Sequence, residues 1–355
     1  FKFLITIMMI ILLGMVLILG WLSIRKITEI VTNDFNQQQL LLAKHAASQI
    51  ENSIDLLKRE LTLLTLSPAI QYSEKPALKN RMNITFSSVK HEGVREIKFI
   101  ENKAKRVFRI IEGKKCFEDK LNKNDTEFLK WASIEENKGK ILFTDTSVCQ
   151  EINEPQKLII KMISPVWQIS IDESHPVATN KFSGAMIFTV DITYLVSKIT
   201  KKIRSCKTVY ALVIYNKGTY LYHEEQSFIG QNAFEARKGK KPHISFERIN
   251  EIQREKMLKG EEGTSWYISG WHKEVEGEIK KLIAYAPIKI ANGQKNIIWS
   301  IAVVAPISEV EGAIQSIQIQ QILLQGIIIV IILFGGIFIN FILVTWSNTL
   351  EKEVI

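Results

Sequence analysis

Two long blocks without a charged residue, one near each end of the chain, constrain this sequence most. Residues 3–24 and 313–350 contain no Asp, Glu, Lys or Arg, and no comparable apolar run lies between them. A transmembrane helix needs about 20 apolar residues to cross a hydrocarbon core of about 30 Å. We therefore predict two membrane-spanning helices. This arrangement excludes a cytosolic globular enzyme and a polytopic transporter.

The first predicted span is interpreted as a retained anchor. Its apolar run is longer than that of a signal peptide, and no small-residue cleavage site follows it. The second span covers residues 322–346 and ends at Trp346, an interfacial residue type. Within it, Gly335 and Gly336 permit a close helix approach. Asn340 either hydrogen-bonds across a dimer or lies near the interface.

Two spans place both termini on one side of the membrane and residues 25–321 on the other. The chain has 46 Lys and Arg against 37 Asp and Glu, a net charge of +9. This charge is diffuse, so we expect no nucleic-acid partner. Because the chain starts at Phe1 and stops within a charged, helix-prone segment, we expect a longer protein.

A long helix with one apolar seam is predicted after the first span. Apolar residues there recur at alternating spacings of three and four, which is typical of a helix that buries one stripe. The seam consists of Leu40, Ala43, Ala47, Ile50, Ile54, Leu57, Leu61 and Leu64. Pro68 is expected to end the helix. The seam packs either on its own domain or on the same helix of a partner.

A set of strands and short helices then occurs twice in the same order. Each set contains a hairpin, a helix, strands that end at a proline, and a last strand that runs into a helix. In the first set these are residues 96–111, 125–134, 141–165 and 184–195; in the second they are 210–222, 248–258, 264–287 and 296–309. This repetition predicts an internal duplication of one α+β unit.

The order of several segments resembles a double Cache sensor domain. The segments are 96–110, 128–132, 163–167 and 183–195 in the first half, and 220–223, 229–232, 257–263, 283–288 and 299–306 in the second. The resemblance implies an α+β fold in which two PAS-like (Cache) modules are stacked on a long N-terminal helix and flanked by two transmembrane helices. It places the protein in the bacterial inner (cytoplasmic) membrane, with its sensor region periplasmic or extracellular.

This resemblance divides the chain into seven segments. They are transmembrane helix 1 (3–24), a stalk helix (25–67), a membrane-distal module (68–205), a membrane-proximal module (206–310), an exit helix (311–321), transmembrane helix 2 (322–346) and the start of a cytoplasmic linker (347–355). The distal module is expected to bind a small-molecule ligand. The proximal module is expected to transmit the signal.

Five residues are candidates for ligand contacts in the distal module. Arg109, between apolar neighbours on a strand, either holds a ligand carboxylate or faces solvent. Trp131 and Trp167 either stack on a ligand or pack in the core. Asp145 and Asp191 are candidate acceptors for a ligand amine, and Asp191 alternatively caps the helix that follows it.

The remaining candidate groups are few. Cys116 and Cys149 either form a disulfide in an oxidising compartment or remain free, and Cys206 is then left over. In the proximal module His223, beside two glutamates, forms either a metal site or a solvated turn. We expect no metal and no cofactor. The segment beginning at Arg81 lacks the Arg-x-Trp-aromatic motif of amino-acid-binding relatives, which leaves the ligand open.

No catalytic motif occurs in residues 1–355, so any enzymatic module would lie downstream. The last nine residues are similar to the linker that follows the second span of many sensor histidine kinases. We therefore expect the sensor portion of a two-component histidine kinase that acts as a homodimer in the lipid bilayer and signals to a response regulator. The alternatives are a chemoreceptor, a diguanylate cyclase, or a membrane-anchored structural subunit without a ligand.

Overall fold

The computed structural model describes residues 2–149, 156–203, 208–290 and 297–353. Its helices are α1 (Lys2–Thr65), α2 (Pro68–Gln71), α3 (Lys75–Val89), α4 (Lys123–Ala132), α5 (Ile192–Thr200), α6 (Ala233–Lys240), α7 (Glu247–Glu251) and α8 (Ser308–Glu353). Its strands are β1 (Val94–Glu101), β2 (Val107–Ile111), β3 (Phe117–Asp119), β4 (Leu142–Phe143), β5 (Ser147–Cys149), β6 (Lys157–Trp167), β7 (Phe182–Asp191), β8 (Tyr210–Tyr215), β9 (Thr219–Tyr222), β10 (Gly263–His272), β11 (Val275–Ile290) and β12 (Ile297–Pro306).

One compact unit, residues 1–38 and 307–355, pairs the first part of α1 with α8. Small residues let the two helices approach, because Gly20 lies against the side chain of Gln325 and Gly336 lies against the thioether of Met9. Gln325 Nε2 donates to the carbonyl oxygen of Val16 at 3.3 Å. A polar side chain within an apolar span is thereby hydrogen-bonded across the helix pair.

The surface of this unit suits a hydrocarbon environment. Both helices are long and apolar enough to cross a membrane. Phe334, Phe341 and Trp346 on α8 are each about 70% exposed, which is unfavourable in water and favourable in lipid. Of the two adjacent glycines, only Gly336 meets the other helix, and Asn340 is exposed. The two predicted spans are therefore candidate membrane helices in the structure.

The second compact unit, residues 39–306, contains two antiparallel sheets. We call them the distal and the proximal sheet, after the predicted modules of the sequence in which they lie. The distal sheet has the order β3-β2-β1-β7-β6-β4, and β5 also pairs with β6. Lys98 lies opposite Arg109 on β2 and opposite Ile187 on β7. Because side chains alternate between the faces of a sheet, these three share one face, and Phe99 and Phe108 share the other.

The proximal sheet has the order β10-β11-β12-β8-β9. In both sheets the first strand of a hairpin, β1 or β8, pairs with the last strand of a long antiparallel pair, β6–β7 or β11–β12. A helix follows that last strand in each case. The repeated order in the sequence therefore corresponds to a repeated strand topology.

The seam of α1 is buried within its own chain. Seven of its eight predicted residues are at most 4% exposed: Ala43, Ala47, Ile50, Ile54, Leu57, Leu61 and Leu64. Leu41, one position off the seam, is 67% exposed. Lys44 pairs with Glu262 at 2.6 Å, and Glu51 accepts from the backbone of Lys289 on β11 at 2.6 Å. The seam therefore packs on its own domain and needs no partner helix.

The two prolines predicted to end strands lie inside them. Pro165 pairs with Ala185 within β6, and Pro287 pairs with Ser300 within β11. The structure tolerates both because one neighbour has already ended: β4 pairs with β6 only up to residue 163, and β10 pairs with β11 only up to residue 285. A missing N–H therefore faces an unpaired edge at each position.

The helix predicted at 248–258 is also irregular. Its α-helical part ends at Glu251, and it continues as a π-helical segment, Ile252–Lys256, and a 3₁₀ turn, Met257–Lys259. The wider π turn leaves Gln253 fully buried. Gly260, at a φ of 78°, then ends the segment in the left-handed conformation that glycine adopts without strain. Periodicity alone could not show this inserted turn.

We predict that Leu57→Ala lowers the free energy of unfolding by about 2–5 kcal/mol, because it leaves a cavity in a closed core. The matched control Leu41→Ala, on the exposed side of the same helix, should change it by less than about 0.5 kcal/mol. A urea titration of the full chain in detergent, followed by tryptophan fluorescence, measures both. Equal effects at the two positions would contradict the observed packing of α1.

Candidate functional site

A strip of charged side chains lies on the face of the distal sheet that packs against α4. Glu96 and Lys98 on β1, Arg109 on β2 and Thr189 on β7 form this polar strip. The register places them together, since Lys98 lies opposite Arg109 and Glu96 lies opposite Thr189. The same face continues into an apolar cluster that includes Ile187. The site thus combines ion pairs with an apolar floor.

Lys98 is held at the start of α4. Its Nζ lies 3.1 Å from Oδ1 of Asp125, and the two side chains are 9% and 1% exposed. Asp125 also accepts from the backbone of Asn122, whose side chain accepts from the backbone of Asp125 in return. This capping box fixes the first turn of α4. The ion pair therefore joins the sheet to a helix whose start is already rigid.

Arg109 is paired on both sides. Its Nε donates to Glu96 at 2.6 Å, and Nη1 donates to Asp119 on β3 at 2.5 Å. Burial disfavours the charged guanidinium, but the bonds with Asp119 and Glu96 outweigh this effect and raise its pKa. The bond from Arg109 lowers the pKa of Asp119. Thr189 donates a further bond to Glu96 at 3.2 Å. Arg109 is thus neither isolated nor free in solvent.

Trp131 and Trp167 lie at the apolar end of this region. Trp131 on α4 and Phe182 on β7 both pack against the cluster that α4 forms with the sheet. The ring of Trp167 lies 5.4 Å from that of Phe182, and its Nε1 is buried without a hydrogen-bond partner in the described part of the chain. The structure therefore brings the two tryptophans to one end of the α4-facing side.

The two predicted aspartates lie elsewhere. Asp145 is exposed in the loop between β4 and β5. Asp191 is buried, accepts from the backbone N–H of Tyr194 at 2.8 Å as the N-cap of α5, and pairs with Arg95 at 3.2 Å. Asp191 and Arg95 line a cavity of about 300 Å³ that also touches Tyr222 of the proximal sheet. The capping role considered for Asp191 is therefore observed.

The disulfide considered from the sequence is not formed. Cys116 and Cys149 are both free, and Cys206 falls outside the described residues. The thiol of Cys116 lies 3.9 Å from the sulfur of Met82. Burial raises its pKa to about 11, and the nearby charge of Glu118 adds to this effect. Cys116 is therefore a half-buried thiol that is protonated at pH 7.

His223 in the proximal module is neither a solvated turn nor part of a metal cluster. It is 6% exposed, and its Nδ1 accepts from the backbone of Glu225 at 2.9 Å. No group of three potential ligands is close enough to hold a metal among the described residues. Burial, reinforced by the charges of Lys281, Arg237 and Lys240, lowers the pKa of His223 to about 3. The ring is therefore neutral at pH 7.

Sequence reasoning identified Arg109 but missed its partners. Glu96 and Asp119 pair with Arg109, and Asp125 pairs with Lys98 of the same polar strip. The alternation that singled out Arg109 also holds on β1, where Glu96 and Lys98 alternate with buried apolar residues. That signal was available in the sequence. Asp125 gave no comparable signal, because its role depends on where α4 packs.

A family model described as a Cache domain matches residues 25–314. The fold is similar to the extracellular domain assigned to histidine kinase vpHK1S-Z8, with 16% identity and a TM-score of 0.54 over 80% of this chain and 96% of that one. It is also similar to the periplasmic sensory domain of the Campylobacter jejuni chemoreceptor Tlp1, with 14% identity and a TM-score of 0.54 over 79% and 98%.

A third similar structure is a domain assigned to a sensory box/GGDEF family protein from Vibrio parahaemolyticus. It has 16% identity and a TM-score of 0.53 over 79% of this chain and 99% of that one. No curated protein matches the chain in sequence. At these identities the structural similarities establish the fold alone.

We predict that Lys98→Met destabilises the protein by about 3 kcal/mol, because it leaves the carboxylate of Asp125 buried and unpaired. The double variant Lys98→Met with Asp125→Asn should recover part of this loss. Lys259→Met, which breaks an exposed pair with Glu255, is the control and should cost less than about 0.5 kcal/mol. Urea unfolding measures all three. An unchanged stability in Lys98→Met would argue against a buried pair.

We also predict an acid-sensitive stability that depends on His223. Its folded pKa of about 3 lies below the ordinary 6.5, so the unfolded chain takes up the proton first. The stabilising contribution is complete above pH 6.5 and is lost as the pH falls toward 3. Between pH 7 and pH 5 the loss is about 2 kcal/mol. Unfolding of His223→Gln should lack this component, and the exposed His243→Gln should retain it.

Proposed function

The chain belongs to the Cache domain family, and from this membership we propose that it is the ligand-sensing and transmembrane signalling portion of a bacterial receptor. The described helices α1 and α8 would carry it across the inner membrane, with the two sheets on the periplasmic or extracellular side. The ligand would be a small molecule bound at the polar strip of the distal sheet. Arg109, Trp131 and Trp167 are the residues that we expect to contact it.

The pairing of Arg109 is the observation that carries this proposal. Asp119, one of its two partners, lies on an edge strand and is 38% exposed, whereas Glu96 is 14% exposed. A ligand carboxylate can therefore replace Asp119 by rotating an exposed side chain, and Glu96 can stay in place. Arg109 is suited to this exchange because a guanidinium binds carboxylates through two parallel bonds. Trp131 packs against the apolar cluster on the same face of the sheet.

Ligand binding would act by shifting the balance between two arrangements of this module. A ligand can shift such an equilibrium only by its difference in affinity for the two states. Replacing Asp119 as the partner of Arg109 would change the contacts of β3. It would also change the surroundings of Lys98, which lies opposite Arg109 and joins β1 to α4 through Asp125. We propose that the change reaches the membrane through α8, which begins two residues after β12 ends.

For the output we propose a two-component histidine kinase that works as a homodimer and phosphorylates a response regulator. The similarity of residues 347–355 to a kinase linker supports this choice. A chemoreceptor and a diguanylate cyclase are the alternatives, because the similar structures are assigned to all three classes. Incubating the complete gene product with labelled ATP tests the choice. Acid-labile phosphohistidine supports the kinase; conversion of GTP to a cyclic dinucleotide supports the cyclase.

We predict that at least one compound in a panel of amino acids and metabolite carboxylates raises the unfolding temperature of the full chain in detergent. A ligand at about 100 times its Kd adds about 2.7 kcal/mol. Arg109→Gln should abolish the shift. Arg106→Gln is the matched control, because Arg106 pairs with Glu101 at 2.7 Å just before the same strand. If no compound raises the unfolding temperature, a structural subunit is supported. If Arg109→Gln and Arg106→Gln lose the rise in unfolding temperature equally, Arg109 is excluded as the contact.

A further inference from the structure

The proximal sheet buries cations without enough carboxylates to pair them. Arg237 on α6 is 5% exposed. It donates to Tyr220 at 2.7 Å and to Asn250 and Gln253 at 2.6 Å each, and all three acceptors are neutral. Its Nε is buried and has no partner within the described residues. The guanidinium is therefore both uncompensated in charge and unsatisfied in hydrogen bonding.

A second cation lies in the same module. Lys281 on β11 is 1% exposed, and its ammonium donates to the hydroxyl of Tyr210 at 3.3 Å. The ammonium lies 5.4 Å from the centre of the Tyr210 ring, 5.9 Å from that of Tyr267 and 5.7 Å from that of Trp271. Burying a charge costs several kcal/mol unless it is paired. Aromatic faces offset part of this cost, because their negative quadrupoles attract cations.

Among the described residues, Glu225 is the carboxylate that pairs with one of these cations, and Lys240 already binds it. Lys240 on α6 contacts both oxygens of Glu225, at 2.6 and 2.5 Å, and lies 4.7 Å above the ring of Trp271. Arg237, Lys240 and Lys281 therefore share one carboxylate in the described part of the module. The polar strip of the distal sheet differs, because Lys98 and Arg109 both have carboxylate partners there.

A cavity opens beside this cluster. It has a volume of about 620 Å³, and its wall includes Tyr210, His223, Trp271 and Lys240. Glu224, Lys273 and Glu274 stand at its exposed mouth. The Lys281 ammonium lies directly behind two of the wall rings, those of Tyr210 and Trp271. An aromatic cavity with a few placed polar groups is the usual form of a small-molecule site.

A second buried donor also lacks an acceptor. Gln253 is fully buried on the π-helical segment, and its Nε2 has no partner among the described residues. It adjoins Arg237, to which it presents its oxygen. Segments of π-helix occur frequently at functional sites. Arg237 and Lys281 have no carboxylate partner among the described residues, so this module holds an excess of buried positive charge.

We propose that the proximal module contains a second binding site, for a small organic carboxylate, formed by Lys240 and the aromatic cavity wall in the field of Lys281 and Arg237. The carboxylate would supply the missing negative charge, and the apolar body would lie on Tyr210 and Trp271. This site goes beyond the proposed function, which concerns the distal sheet. It makes the proximal module a ligand-binding part of the receptor and not merely a transmitter.

The protonation of Lys281 gives the site a second measurable property. Burial, followed by the charges of Lys240 and Arg237, lowers its pKa to about 7, and Glu225 opposes this weakly. The groups around it are those two cations from α6, Glu225, the imidazole of His223 and the aromatic side chains of β8 and β10. A bound carboxylate favours the protonated amine, so binding takes up a proton and is strongest below pH 7. Affinity should fall as the pH rises from 7 to 9.

Calorimetry on the full chain in detergent tests the proposal, with sodium benzoate, its neutral amide benzamide, and sodium sulfate as probes. Benzoate should bind with net proton uptake at pH 8, measured in two buffers of different ionisation enthalpy. Benzamide and sulfate should not bind at the same concentrations. Binding of benzamide equal to that of benzoate would show an uncharged apolar cavity, and equal binding of sulfate would show an unselective anion site. Either result overturns the proposal.

Four variants locate the site. Lys281→Met should weaken benzoate binding by about tenfold to a hundredfold, the usual effect of losing a charged interaction, and should abolish the proton uptake. Lys280→Met is the matched control, since Lys280 is the preceding residue of β11 and is exposed. Glu225→Gln should tighten benzoate binding, because it frees Lys240 from its carboxylate partner. If Lys281→Met folds poorly, the affinity of Glu225→Gln still tests the site. Lys103→Met, at an exposed residue of the turn between β1 and β2 in the distal module, should leave benzoate binding unchanged. Unchanged affinity in both Lys281→Met and Glu225→Gln would refute the site.

Discussion

The burial of one apolar stripe of α1 is the constraint on which the compact unit of residues 39–306 depends. Leu57, Leu61 and Leu64 are fully buried, and Lys58 beside them lies 5.8 Å above the ring of Phe143 on the distal sheet. Glu51, two turns earlier, accepts a bond from β11 of the proximal sheet. A single helix thus supplies packing to both sheets. Exposing this apolar stripe to water would cost free energy, so α1 is held against both sheets.

The two sheets share a strand order but differ in how they treat buried charge. The distal sheet pairs Lys98 with Asp125 and Arg109 with Glu96, so its cations are compensated. The proximal sheet surrounds Lys281 with aromatic rings and gives Arg237 neutral acceptors. A duplicated scaffold therefore carries two different electrostatic environments. Since charge compensation decides what a buried site can bind, similarity of fold between the modules does not imply similarity of ligand.

Several elements were predictable because they depend on local pattern. The hairpins, the start of α5 at Asp191 and the end of α1 before Pro68 follow from alternation, capping and proline geometry. The predictions failed where a neighbouring element decides the outcome. Pro287 lies within a strand because β10 has ended beside it, and His223 is buried because Tyr210, Tyr220 and Phe228 surround it. Both outcomes depend on how strands and rings pack beside the position, and the local residue pattern does not reveal that packing.

The sequence by itself determined two apolar helices, a helix with a single seam, a repeated α+β order and membership of a fold family, since periodicity and composition act over short stretches of chain. The tertiary structure alone decided which charges meet. Arg109 meets Glu96 through the register of β1 and β2, whereas Lys98 meets Asp125 through the packing of α4. Lys281 pairs with no carboxylate in the part of the chain that the structure describes. Ion pairs form between groups far apart in sequence, and their strength depends on burial, which only the folded chain defines.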